Sequence, residues 1–159
     1  MILLWHGDIP IGIVVFSAPA ASLALRSRYF GLKNPRSGLA LQSMNAQLWL
    51  LQRVVLHPTY RGAGIAADFI RRACELCDID WIETLSAMGH ANPFFERAGF
   101  TKVGVIRKSS TATGSAHHAY GHGNNVTAET IAKSRHSEPV YYVFDNRNRT
   151  AHSLSSSAS

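Results

Sequence analysis

Apolar runs separated by polar turns divide the chain into short segments that predict a sheet with flanking helices. β-rich runs over 2–5 and 11–17 flank His6-Gly7-Asp8, a turn composition typical of a β-hairpin. A longer apolar run over 47–56 predicts a strand that is buried on both faces. Further along the chain, the pattern predicts strands over 81–88, 100–107 and 139–146.

Helical spacing appears between these strands. Over 62–77, charged residues occupy one side of a predicted helix, and its apolar face consists of Ile65, Phe69, Ala73, Leu76 and Cys77. A second, short helix is predicted over 93–99, with proline in its first turn and glycine at its end. Residues 21–32 fit either a short helix or an irregular segment before the turn at 34–38. The order of elements predicts a mixed α/β fold.

Two segments differ from the rest in composition. Ser, Thr, Gly, His and Asn dominate residues 108–138, which predicts a long polar loop. The chain ends in SLSSSAS, and residues 147–159 are predicted to form a disordered tail. A length of 159 residues is typical of one domain, and the tail leaves residues 1–146 for it.

Charge and cysteine content narrow the class of protein. The net charge is +6 and the isoelectric point about 9.7, so we expect nucleotide phosphates, nucleic acid or anionic lipid to be attracted. The opening MILLWHGDIP lacks a basic region and is broken by polar residues, which predicts neither a signal peptide nor a membrane span. Cys74 and Cys77 are interpreted as small buried side chains of a cytoplasmic protein.

The stretch HPTYRGAGIA, residues 57–66, joins a predicted strand to a predicted amphipathic helix. It fits either a tight structural turn or a cradle whose backbone N–H groups bind a phosphate at the helix N-terminus. Small residues would let the phosphate approach, and Arg61 would add positive charge. The stretch is neither the lysine-bearing P-loop nor the three-glycine dinucleotide motif.

Two motifs in this region resemble those of one family. Arg61-x-x-Gly64-x-Ala66, preceded by VVLHP, resembles the acetyl-CoA signature of the GNAT superfamily of acyltransferases. NPFFERAGF, residues 92–100, resembles the short helix and Gly-Phe turn that follow the next strand in that family. The resemblance implies a GNAT-like fold, in which a mixed, mostly antiparallel sheet is splayed open and flanked by helices. The family's N-terminal elements are expected to be missing, since the chain starts at what looks like its second strand.

The resemblance also implies how acetyl-CoA would bind. Loop amides would hold the pyrophosphate, with Arg61 framing the turn, and the preceding strand would offer main-chain groups to the pantetheine arm and the acyl carbonyl. The implied cofactor-binding residues are Val54, Val55, Leu56, Arg61, Gly62, Ala63, Gly64, Ile65, Ala66, Asn92 and Phe95.

One departure concerns the acid that protonates the departing thiolate. The family often places a tyrosine where this chain has Phe95, and phenylalanine has no proton to give. The alternatives in the chain are Tyr60, Tyr120, Tyr141 and Tyr142.

A base and acceptor-side groups are predicted from the polar residues near these strands. Glu83, in the middle of WIETL, is a candidate general base, and a solvent-facing strand residue is the alternative interpretation. His57 is a further catalytic candidate beside Tyr60. Ser86 and His90 are candidates for an acceptor-side role.

Two clusters suggest other ligands. The histidines of HHAYGH, residues 117–122, lack cysteines and a rigid frame, so we interpret them as part of a polar loop over the active site and expect no metal. A basic cluster surrounds Tyr29 and Phe30 and fits either a solvated face or the binding of single-stranded or flipped bases; it consists of Arg26, Arg28, Lys33 and Arg36.

The leading hypothesis is an acyl-CoA-dependent N-acyltransferase in which water or Glu83 removes the amine proton. Its acceptor would be a small-molecule or macromolecular amine, and a homodimer is left open. The motifs also resemble GNAT-like domains attached to ABC-type ATPases and Mom-type phage enzymes that acylate adenine in DNA. A nucleic-acid base-modifying enzyme and a catalytically degenerate CoA-binding module are therefore the alternatives.

Overall fold

A six-stranded sheet organises the part of the chain that the structure describes. The structure is a computed structural model, which describes residues 1–32, 38–106 and 138–149. Its strands are β1 (Ile2–His6), β2 (Ile9–Ser17), β3 (Leu48–Leu56), β4 (Trp81–Ser86), β5 (Thr101–Val105) and β6 (Val140–Asp145). Its α-helices are α1 (Ala24–Tyr29), α2 (Gly38–Ala46), α3 (Ile65–Glu75) and α4 (Phe94–Arg97). Short 3-10 turns occur at Pro58–Tyr60, Ala87–His90 and Arg147–Arg149.

The strand order is β1-β2-β3-β4-β6-β5. Only β3 and β4 run parallel among these neighbours, and the other pairs are antiparallel. The parallel pair needs a crossover connection, which α3 provides. The prediction of a mixed, mostly antiparallel sheet with flanking helices is confirmed.

The predicted hairpin is formed by β1 and β2. Trp5 pairs with Pro10 and His6 with Ile9, so Gly7 and Asp8 make a two-residue turn. Gly7 has a φ of 61°, the left-handed conformation that tight hairpin turns require. β1 lies at the edge of the sheet.

The main core lies between the sheet and the helices α3 and α4. The buried side of α3 carries Phe69, Ile70, Ala73 and Cys74, and α4 contributes Phe95. Because side chains alternate along a strand, Ile82 and Tyr142 point into this core while their neighbours Glu83 and Tyr141 point to the other face. On that face Glu83 accepts a hydrogen bond from Arg26 of α1, and the Tyr141 hydroxyl donates to Glu83.

Two predictions about these elements are wrong, and one helix was not predicted. β3 is not buried on both faces, since Trp49 is 40% and Val55 41% exposed. The helices cover one face of this strand, and its second half has no partner on the β4 side. Leu76 is 69% exposed and lies just beyond the helix, which ends at Glu75; the buried residues of α3 are Phe69, Ile70, Ala73 and Cys74. α2 begins at Gly38, which was predicted to end a turn, and it continues over residues 39–46, for which no element was predicted; none of its residues is buried.

The two cysteines are buried, as interpreted from the sequence. Burial raises the pKa of the Cys77 thiol to about 11 and raises that of Cys74 as well. Asn146, also buried, donates from its side-chain Nδ2 to the carbonyls of Cys74, Cys77 and Ile79 at 3.0, 3.0 and 2.9 Å. One side-chain amide from the end of β6 therefore binds three carbonyls at and just after the end of α3, and the Cys74 carbonyl also accepts from the Cys77 backbone N–H at 3.0 Å.

The start of the predicted tail is a 3-10 turn at Arg147–Arg149, and the rest of the tail lies outside the described residues. The predicted loop over 108–138 also lies outside them, apart from Glu138. In the ranges that the structure does describe, no helix has the length and apolar content needed to cross a membrane.

Candidate active site

The sheet opens between β3 and β4. Leu48, Trp49 and Leu50 pair with Trp81, Ile82 and Glu83, and the parallel ladder then stops although β3 continues to Leu56. Backbone groups point alternately to the two sides of a strand, so part of the second half of β3 directs N–H and C=O groups into this opening. The opening is a place where an extended ligand can form main-chain hydrogen bonds.

A β-bulge explains why the strands separate there. In the pairing of β2 with β3, Val15 opposes Arg53 and Phe16 opposes Leu51, so Gln52 is an extra residue in β3. A bulge bends its strand and increases the local twist. The bulge falls two residues after Leu50, which is the last residue of β3 that pairs with β4.

A buried threonine closes the narrow end of the opening. Thr84 is 2% exposed, and its hydroxyl donates to the carbonyl of Leu51 at 2.9 Å. This side-chain bond takes the place of the next backbone contact between the strands. The opening therefore starts at a defined point and widens toward Leu56.

The wide end meets the N-terminus of α3. Gly62 and Gly64 have φ angles of 85° and 81°, and Gly64 is the residue that caps the helix. Neither position has another atom within 4 Å of where a Cβ would lie, so the loop is open to a ligand. No side chain caps this helix end, which leaves amide N–H groups free to bind an anion.

Arg61 ties the loop to the end of β3. Its Nε donates to the carbonyl of Leu56 at 3.1 Å, and its side chain is otherwise exposed. The guanidinium thus lies beside the last residue of β3. The structure brings together the loop residues from Arg61 to Ala66 and the strand residues Val54, Val55 and Leu56, all proposed from the sequence to bind cofactor.

His57 and Tyr60 lie at this same end of β3. The Tyr60 hydroxyl is 2.6 Å from Nδ1 of His6, which comes from the end of β1. His57 accepts a hydrogen bond from the Thr59 amide at 3.4 Å, and its ring lies 6.1 Å from that of Tyr60. His6 was not singled out from the sequence, because no local pattern tells that the hairpin turn reaches the loop.

Glu83 lies at the opposite end of the opening. It pairs with Leu50, six residues before Leu56. Six residues of strand span about 20 Å, so Glu83 and the Tyr60 loop do not share one catalytic centre. The sequence-predicted catalytic set is therefore divided between the two ends of the opening.

Buried hydrogen bonds occupy the Glu83 carboxylate. Arg26 donates to it through Nε at 2.9 Å and through Nη2 at 2.5 Å, and the Tyr141 hydroxyl donates at 2.8 Å. Arg26 also donates to the Ala20 carbonyl and to Asn45 Oδ1. Glu83 is 2% exposed, which rules out the alternative of a solvent-facing residue, and the partners leave it poorly placed to act as a base.

This network corrects the interpretation of the basic cluster. Arg26 has no solvent-exposed surface, so it is not part of a solvated face. Arg28 is exposed, whereas Lys33 and Arg36 lie outside the described residues. The sequence gives no signal for the buried arginine, because an arginine in a helical stretch is usually exposed.

The motif NPFFERAGF, residues 92–100, contributes mainly side chains of the hydrophobic core. Phe95 is 4% exposed and packs against Phe94, Phe100 and Tyr142, with ring centroids 4.3, 5.3 and 5.4 Å apart. This leaves Phe95 little surface with which to touch a cofactor. Asn92 is exposed at the turn before α4, and its backbone N–H donates to the Met88 carbonyl.

Neither Tyr141 nor Tyr142, the tyrosines of β6, presents an accessible hydroxyl that could replace the acid that the family often has at position 95. The Tyr142 hydroxyl lies 3.2 Å from the Gly89 carbonyl and 3.1 Å from Glu96 Oε1, and burial, followed by Glu96, raises its pKa to about 12. Burial, followed by Glu83, also raises the pKa of Tyr141. Both side chains are fully buried. Tyr120 lies outside the described residues.

The remaining candidates have structural contacts. Ser86 is buried at the end of β4, opposite Val140. His90 Nε2 lies 2.9 Å from the carbonyl of Glu138. Among the described residues, no group of three metal-ligating side chains occurs, and the histidines of 117–122 fall outside these residues.

Comparison with known proteins shows that the sequence matches one family model. The sequence model of the acetyltransferase (GNAT) domain matches residues 36–120, more than half of the chain. This match supports an acyltransferase function in general terms. A search of curated proteins found no match.

A solved structure overlaps the chain loosely. It is a chimera of the spermidine N-acetyltransferase SpeG from Vibrio cholerae and hSSAT, 12% identical in sequence, with a TM-score of 0.43. The overlap covers 86% of this chain and 98% of that one, and it says nothing about the substrate. Neither match concerns an ABC-type ATPase or a Mom-type enzyme, so those two resemblances are unsupported.

Proposed function

Because the chain belongs to the acetyltransferase (GNAT) domain family, we propose that it transfers an acetyl group from acetyl-CoA to an amine acceptor. The observation that carries this proposal is the opening between β3 and β4, which leads directly to an uncapped helix N-terminus. An extended thioester with a phosphate-bearing tail has the shape and chemistry that this arrangement accommodates.

The loop would bind the pyrophosphate of acetyl-CoA. Amide N–H groups at the start of α3 and the helix dipole favour a negative group there, and Arg61 adds a positive charge. The left-handed glycines at 62 and 64 let the backbone approach the phosphates closely. The second half of β3 would then bind the pantetheine arm by main-chain hydrogen bonds.

The acyl end would lie toward the bulge at Gln52. The amine lone pair would attack the thioester carbon, the C–S bond would break, and the CoA thiolate would leave while the amine nitrogen loses a proton. Alignment of the two substrates in the opening supplies much of the rate in such a transfer. Arg26 engages the Glu83 carboxylate, so we assign the amine proton to water and give Glu83 a positioning role.

An acyl-transfer assay tests this proposal. The protein is mixed with acetyl-CoA and a panel of primary amines, namely a polyamine, an aminoglycoside and lysine-bearing peptides. Release of free thiol and a mass increase of one acetyl group on the amine are measured together. Amine-dependent release with matching acetylation supports the proposal, whereas CoA binding without turnover on any amine supports the degenerate CoA-binding module.

A Gly64→Glu variant provides the site-specific arm of the assay. The added carboxylate would occupy the open cradle and repel the pyrophosphate. Gly31→Glu is the matched control, because Gly31 also has a positive φ, 64°, with no atom within 4 Å of its Cβ position. Both variants place a side chain at a positive φ with no atom within 4 Å, so a loss confined to Gly64→Glu is assigned to the cradle.

A further inference from the structure

The face of the sheet opposite α3 carries an apolar row across its first three strands. Side chains alternate along a strand, and Val14 and Val54 pack into the core beneath α3. Their neighbours point to the other face, where Leu3 lies opposite Ile13 and Ile13 lies opposite Val55. Leu3 and Val55 are 40% and 41% exposed, so no described element covers this row.

Arg53 lies on the same face, beside the bulge. It opposes Val15 across the pair of β2 and β3, and it follows Gln52, the extra residue of the bulge. Its side chain is exposed and makes no ion pair with any described residue. The planar guanidinium of an arginine matches a carboxylate, so Arg53 is available to an anionic group of a ligand.

The strands around the opening present no accessible negative charge. β1 to β4, which lie wholly within the described residues, contain one acidic side chain, that of Glu83. Glu83 is buried, and its carboxylate accepts hydrogen bonds from Arg26 and Tyr141. A polyamine at this place would lose water from its charges and find no carboxylate of these strands in exchange.

The direction of attack brings the acceptor to this face. A thioester between β3 and β4 would lie much as an added strand does, with its carbonyl near the plane of the sheet. A nucleophile approaches a carbonyl from above or below its plane, so the amine comes from one of the two faces of the sheet. The face beneath α3 is filled by the core, whereas the opposite face presents the apolar row and Arg53.

We propose that Arg53 and the apolar row bind an acceptor that carries a carboxylate and an apolar side chain beside its amine, as a free apolar amino acid does. The carboxylate would pair with Arg53, and the apolar group would lie on Ile13 and Val55. The inference rests on the proposed function, because it takes the acetyl group to lie at the bulge. The transfer is the one given there: the N–C bond forms, the C–S bond breaks and the amine proton goes to water.

Matched acceptors test this assignment. The kcat/KM of the parent is measured for leucine, leucinamide, alanine and spermidine with acetyl-CoA as the donor. We expect leucine to exceed leucinamide and spermidine by at least about tenfold, because neither of these amines has a carboxylate for the arginine. We expect leucine to exceed alanine by a similar factor, because the alanine methyl covers little of the apolar row.

Variants locate these preferences on the protein. Arg53→Gln should remove the preference for leucine over leucinamide, and Arg53→Lys, which keeps the charge, should retain part of it. Lys102→Gln removes an exposed charge from β5 and is the control, so its preference should equal that of the parent. Ile13→Thr should narrow the preference for leucine over alanine by at least about threefold. Calorimetric titration of CoA shows which variants are folded and keep the cofactor site.

The outcomes separate the two proposals. If the parent acetylates neither these amines nor the wider panel, the proposed function is overturned. If the parent acetylates leucinamide or spermidine as well as it does leucine, the acceptor assignment alone is overturned. The same holds if Arg53→Gln keeps the parent's preference for leucine. If Arg53→Gln does not fold, the ranking of acceptors by the parent and by Arg53→Lys still decides.

Discussion

The hydroxyl of Thr84 donates to the carbonyl of Leu51 at 2.9 Å, at the point where β3 and β4 cease to pair. A side-chain hydrogen bond thus follows the last backbone pair between the two strands. It marks the point where the proposed thioester opening begins. The bulge at Gln52 follows directly, and β3 continues beyond it without pairing to β4. The cleft is built into the sheet by these two features and needs no movement of a loop to form.

Thr84→Val tests this junction. The substitution keeps the shape but leaves a buried carbonyl at Leu51 unsatisfied, so we expect a loss of about 1–3 kcal/mol in the free energy of unfolding. Urea denaturation measures it. Thr101→Val, at an exposed position of β5, is the control and should change stability by less than about 0.5 kcal/mol. Equal effects of the two variants would show that the Thr84 bond does not matter.

Removal of the Arg26 charge should lower the free energy of unfolding more than Thr84→Val does. Arg26→Met leaves the buried Glu83 carboxylate without its ion-pair partner, and we expect a loss of about 3–5 kcal/mol in the free energy of unfolding. The double variant Arg26→Met, Glu83→Gln removes both charges and should recover much of this loss. Urea denaturation of both variants measures the difference.

Arg71→Met provides the comparison for that pair. Arg71 bonds to Asp68 at the surface, where ion pairs contribute at most about 1 kcal/mol. If Arg26→Met were no worse than Arg71→Met, the network would not anchor α1 to the sheet.

Asn146 is expected to stabilise the end of α3. Asn146→Ala removes the side-chain amide that serves three buried carbonyls, so we expect a loss of about 1–3 kcal/mol in the free energy of unfolding. Asn148→Ala, at an exposed position two residues further on, should have little effect. Amide hydrogen exchange near Cys74 and Cys77 should rise in the first variant only, and unchanged exchange would contradict the capping role.

Burial of the thiols predicts a dependence of stability on alkaline pH. The pKa of Cys77 rises from 9.0 to about 11 on folding, so the folded state holds this proton at pH values where the unfolded state has lost it. The stabilisation is complete below pH 9 and falls as the pH rises from 9 toward 11. The raised pKa of Cys74 acts in the same direction.

Thermal unfolding between pH 7.5 and 10.5 measures this effect. The parent should lose melting temperature above about pH 9, and Cys74→Ala, Cys77→Ala should lose less over the same interval. Parallel pH curves for the two proteins would contradict the assignment to the thiols. In the folded protein at pH 8, both thiols should also react slowly with an aromatic disulfide reagent, because the thiolate is the nucleophile.

The sequence predicted the strands and the loop between β3 and α3 because both depend on local patterns. β-rich apolar runs located the hairpin and β6, and the small residues after β3 predicted an open loop, in which Gly62 and Gly64 adopt positive φ angles. The start of α3 was predicted at 62 and lies at Ile65, since those glycines adopt conformations outside the helix.

Contacts between distant segments could not be predicted in this way. Arg26 and Glu83 are 57 positions apart, and neither residue carries a local sign of its partner. The role of Glu83 as a base was inferred from its place in a strand, without knowledge that α1 would bring a guanidinium to it. The meeting of His6 with Tyr60 depends in the same way on the fold of the whole sheet.

Calorimetric titration of CoA into the parent, Gly64→Glu and Gly31→Glu tests whether the open loop before α3 holds the cofactor. We expect the parent and Gly31→Glu to bind CoA with similar affinity, and Gly64→Glu to bind it more weakly by at least about tenfold. Binding that survives in Gly64→Glu, or that falls equally in both variants, would contradict the claim that the open cradle before α3 holds the cofactor.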